Sequence, residues 1–96
     1  MVIIAFLSYP PESRDEMAKR MPTAPALPDH MKMKGPYGYS NGKEGVRVTA
    51  MYEFDESKMA EAYRAVVARL QTYIGVTGYT FELHVCGEVG DFQTES

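Results

Sequence analysis

The chain has 96 residues, 45% of them hydrophobic and 24% charged, with a formal charge of −3. This length suits one domain over residues 1–96, small enough that a partner surface would add useful burial, and this balance excludes a disordered or membrane-embedded chain. A single cysteine excludes an internal disulfide and a cysteine-built zinc site, and the mild negative charge argues against a general polyanion binder.

The N-terminal run Met1-Val2-Ile3-Ile4-Ala5-Phe6-Leu7 is too short to span a bilayer and lacks the basic residues that precede a secretory core. It reads as a strand over residues 2 to 8, apolar on both faces, which Pro10-Pro11 ends. The expected compartment is the cytoplasm, with no membrane contact. Ser13 and Glu16 have the spacing of a capping box, so a short helix should follow and end near Pro22, with Met17 and Met21 turned to the core. Pro22, Pro25 and Pro28 exclude a regular element over residues 22 to 29.

Met31 and Met33 alternate with Lys32 and Lys34, a weak strand signal that runs into the stretch GPYGYSNGKEG at residues 35 to 45. Gly42-Lys43 within it looks like part of a phosphate-binding loop. However, Tyr37 stands where that loop needs glycine, Glu44 stands where it needs Ser or Thr, and a strand follows instead of a helix. Lys34, Gly35, Tyr37, Gly38 and Tyr39 resemble the aromatic strand motif of an RNA-recognition domain, but Pro36 interrupts it. The insertion moves Lys34 to the other face from the tyrosines, and nucleic acid is not the expected partner. The simpler reading is a hairpin turning at Asn41-Gly42, with a bulge permitted by the glycines, and with Tyr37 and Tyr39 packing the sheet edge or rimming a cavity.

Val46, Val48, Ala50, Tyr52 and Phe54 alternate with Arg47, Thr49, Met51 and Glu53, a clear strand. Asp55 or Ser57 is placed to cap an amphipathic helix whose apolar stripe is Met59, Tyr63, Val66, Val67, Leu70 and Ile74, with Gly75 at a left-handed C-cap. The hydroxyls of Tyr63 and Tyr73 would reach solvent or a cleft. Tyr79, Phe81, Leu83 and Val85 then alternate with Thr80, Glu82, His84 and Cys86 in the last strand. Residues 87–96 form an acidic C-terminal tail or a short edge strand.

Strand, helix, strand, strand, helix, strand is the split βαβ, ferredoxin-like order: an α+β fold with an antiparallel sheet and both helices on one face. The other face would carry Arg47, Thr49, Met51 and Glu53 beside Thr80, Glu82, His84 and Cys86. With the apolar first strand between them, that face calls for a partner. The architecture resembles the dimeric α+β barrel superfamily, in which two ferredoxin-like protomers pack sheet against sheet. The likeness implies a homodimer through the open sheet face. It extends to small monooxygenases, isomerase-like enzymes, haem-handling enzymes and ligand-sensing domains, and carries over no residue roles.

Candidate site residues therefore come from placement alone. His84, with Glu82 on the same face, has the chemistry of a general base near neutral pH. Arg47 has the geometry to hold a carboxylate, with Tyr37, Tyr39 and Glu53 as further ligand-binding candidates. The competing reading makes His84, Glu82 and Arg47 a polar patch at a dimer interface. No metal is expected, because His30 lies in a loop and no ligand cluster gathers around it; Cys86 reads as a small packing residue, and no cofactor is legible. The leading expectation is a non-catalytic domain for small-ligand binding or assembly, the alternative an enzyme using His84.

Overall fold

The computed structural model describes residues 1–40 and 45–89. Four strands, β1 (Val2–Tyr9), β2 (Lys32–Ser40), β3 (Val46–Glu53) and β4 (Thr80–Cys86), form one sheet in the order β2-β3-β1-β4. All neighbouring pairs are antiparallel, so β1 runs parallel to β2 and β3 to β4, each pair linked through a helical connection. Two helices, α1 (Arg14–Arg20) and α2 (Met59–Gln71), complete an α+β fold compatible with a ferredoxin-like architecture. No helix of the described residues is long and apolar enough to cross a membrane.

Strand parity decides which side is core. Ile3 and Ala5 of β1, Ala50 and Tyr52 of β3 and the following Phe54 bury against Ala62, Val66 and Leu70 of α2. Met17 of α1 packs with Tyr73 and Val76 on the same side, against Leu7, Tyr9 and Tyr79. Both helices thus cover one face of the sheet. β4 is an edge strand, so its residues on that side, Phe81 and Val85, remain partly exposed.

Several local expectations change. The capping box does not form: the Ser13 hydroxyl donates to the Thr77 carbonyl at 2.6 Å, and Glu16 pairs with Arg20 one turn on. Neither Asp55 nor Ser57 caps α2 through its side chain; Ser57 donates to the Asp55 carboxylate, and a single 3-10 turn, Glu56–Lys58, leads into the helix. The buried stripe of α2 runs through Ala62, whereas Met59, Tyr63 and Ile74 are exposed. Weighting the large side chains misphases the stripe, because a small alanine is what allows close approach of helix to sheet. Met21 is also exposed, since α1 ends before it and a 3-10 turn, Met21–Thr23, carries it outward.

Beyond Gln71 the chain tightens into i→i−3 bonds, Tyr73 to Leu70 and Ile74 to Gln71, before Gly75 turns it at φ +99. Arg20, at the end of α1, donates to the carbonyls of Thr72 and Ile74 left free there. A bulge interrupts β2 between Lys34 and Tyr37, and Gly35 supplies the φ of +94 that it requires. Three residues of β2 therefore span two of β3, which returns Lys34 to the face that carries Tyr37 and Tyr39. The expected turn at Asn41-Gly42 and most of the expected acidic tail, residues 90–96, lie outside the described residues.

Candidate functional site

Register across the open face sets out four rows of neighbours. Lys32, Glu53, Val2 and Cys86 form the first; Lys34, Met51, Ile4 and His84 the second. Tyr37, Thr49, Phe6 and Glu82 follow, then Tyr39, Arg47, Ser8 and Thr80. An apolar strip of Val2, Ile4, Phe6 and Met51 runs through the middle, flanked by polar and charged side chains.

The sequence-derived candidates separate into two groups on this face. His84 Nε2 and Glu82 Oε2 are 2.6 Å apart, and the imidazole edge meets the Phe6 ring at a centroid distance of 5.8 Å. Glu82, Arg47 and Tyr39 line a shallow hollow of about 470 Å3 together with Phe6, Ser8 and Thr80. His84 is not among its lining residues. Glu53 stands apart at the far end, where its carboxylate accepts a hydrogen bond from Lys34 Nζ at 2.8 Å. That bond holds the Glu53 carboxyl below its ordinary value and raises the Lys34 ammonium. Tyr37 and Tyr39 are largely exposed on the edge strand. The face therefore offers a bonded imidazole–carboxylate pair beside a hollow of mixed polar and apolar lining, open to solvent in the protomer.

A second site, absent from the candidates, lies under the other face. Between the helices and the sheet is a cleft of about 200 Å3, lined by Leu7, Tyr9, Met17, Met21, Ala24, Met33, Pro36, Val48, Ala50, Tyr52, Arg69, Leu70 and Tyr73. Its walls are predominantly apolar. The space is bounded by α1, only seven residues long, and by Met21 and Ala24, which follow it. The available signal was the recurrence of flexible methionines, Met17, Met21 and Met33, with tyrosines at helix-facing positions; methionine adapts to irregular gaps.

No protein-family model, curated protein or solved structure matches the chain. The site is accordingly read from its own chemistry.

Two phenols, buried Tyr73 and half-buried Tyr79, bound the end of α2. The Tyr79 hydroxyl donates to the Leu70 carbonyl at 2.8 Å, and burial pushes its ionisation far above the ordinary phenol range. Tyr73 is raised too, chiefly by burial, with Arg69 opposing. A phenol with a raised folded-state pKa stabilises the fold fully below its unfolded value, about pH 10, and that contribution drains away as pH rises further. The urea midpoint should therefore fall as pH rises above about 10. Tyr79→Phe should lose about 1 kcal/mol at neutral pH, for the hydrogen bond, and flatten the alkaline fall. An equally steep fall in the variant would place the alkaline loss in other groups.

Proposed function

We propose that this chain is a small-ligand-binding domain that works as a homodimer, its open sheet faces packed together and its ligand held in the helix-side cleft of each protomer. The cleft carries the reading: predominantly apolar walls around about 200 Å3 suit one ring-sized molecule, given that a cavity of roughly 150 Å3 with similar walls admits benzene. The dimer is supported by the apolar strip of Val2, Ile4, Phe6 and Met51, with Phe6 41% exposed at its centre. Covering this strip would enclose the Tyr39–Arg47–Glu82 hollow and place the His84–Glu82 pair at the interface.

Methionine methyl spectra test the ligand site directly. Toluene should shift the signals of Met17, Met21 and Met33, which line the cleft, and leave that of Met59, on an outer patch with Tyr63 and Val85, in place. At ten times its Kd it should stabilise the fold by ~1.4 kcal/mol and raise Tm by several degrees. Unchanged methyl signals with toluene and with single-ring analogues that carry a polar group would together end the ligand-binding reading.

A further inference from the structure

The cleft holds one charged group and no compensating carboxylate. Arg69 lines it, and no Asp or Glu is among the lining residues. One guanidinium nitrogen, Nη1, donates to the Pro25 carbonyl at 2.6 Å, which fixes the group at the cleft beside the proline-rich connection. Among the described residues Arg69 has no acidic partner, although Arg20 and Lys34 both do. A planar guanidinium with donors to spare beside apolar walls suits a carboxylate, which it can hold through two parallel N–H bonds.

The tyrosines point to the same ligand. Tyr52 and Tyr73 line the cleft with only 3% and 8% of their surface exposed, and neither hydroxyl has a hydrogen-bond partner among the described residues. The third phenol at this end of α2, Tyr79, is already committed to the Leu70 carbonyl. Neither hydroxyl is sealed from solvent, and both residues line the cleft, so a ligand there can meet two phenol donors in place of water. Tyr73 is protonated at neutral pH, as any ordinary phenol is, and is hence a donor.

We infer that the cleft takes a small aromatic monocarboxylate, its ring against Met17, Met33 and Leu70 and its carboxylate on Arg69 and the hydroxyls of Tyr52 and Tyr73. This rests on the ligand-binding reading and names the ligand class for that site. The volume leaves room for one ring and its acid group.

Calorimetric titration with benzoate, toluene and acetate separates the contributions. Benzoate should bind about tenfold or more tightly than toluene, and acetate should show no measurable binding, because ring and charge must act together. Tyr73→Phe and Arg69→Gln should each reduce the benzoate-to-toluene selectivity about fivefold to tenfold. Tyr73→Phe keeps the ring packing, which guards against a variant that fails to fold. Equal affinity for benzoate and toluene, or selectivity unchanged in both variants, overturns the monocarboxylate inference while leaving an apolar ligand site. Failure of both benzoate and toluene to bind overturns the inference together with the reading beneath it.

Discussion

Ile3→Ala should lower the unfolding free energy by about 3 kcal/mol and Tm by roughly 10–20 °C. Ile3 is completely buried and belongs to the cluster with Ala62, Val66 and Leu70. Truncation removes three methyl or methylene carbons and leaves a cavity that strand and helix together hold open, so transfer and cavity costs add. The next residue provides the control. Ile4 points to the other face, where it neighbours Met51 and His84, and is only partly buried in the protomer. Measured by denaturation at concentrations low enough to keep the chain monomeric, Ile4→Ala should cost less than half as much. Equal losses at the two positions would mean that the face opposite the helices is also sealed within one protomer, which the two-layer assignment forbids.

Phe6→Glu should weaken dimerisation by at least about 100-fold while leaving the circular dichroism of the protomer unchanged. Phe6 lies on the third row of the open face, between Thr49 and Glu82, and is 41% exposed, so a carboxylate there is tolerable in an isolated protomer. In a two-fold interface every change is made twice. Two aromatic contacts vanish and two carboxylates are brought in beside the existing Glu82 side chains, which costs desolvation and repulsion together. Sedimentation at tens of micromolar supplies the measurement. If the unaltered chain already sediments as a monomer there, the sheet-to-sheet dimer is wrong irrespective of the variant.

Several residues that changed roles between sequence and structure did so through partners or surfaces distant along the chain. Ser13 had the local chemistry of a cap, yet its hydroxyl is used by Thr77, 64 positions away. Met59 and Tyr63 look like core by spacing and are exposed, because the face of α2 that meets the sheet is the one where Ala62 permits contact. Tyr37 and Tyr39 kept their strand parity, but Lys34 joined them across a bulge that one glycine and one proline only permitted. Among the candidate site residues, the closeness of Glu82 and His84 follows from period-two spacing within one strand. The grouping of Arg47 with Tyr39 and Glu82 needed the register of three strand pairs.

The sequence by itself determined the element order and the two-sidedness of the sheet. Period-two alternation in β3 and β4 and the proline-marked breaks are local properties, and local periodicity assigns every second side chain to one face wherever the strand pairs. Only the tertiary structure decided where space remains between the layers. The cleft of Tyr52, Arg69 and Tyr73 exists because a seven-residue helix, the unwound end of α2 and the proline-rich connection meet over the sheet without filling it. A void is the difference between volumes contributed by segments far apart in the chain, and no local pattern of residues encodes that difference.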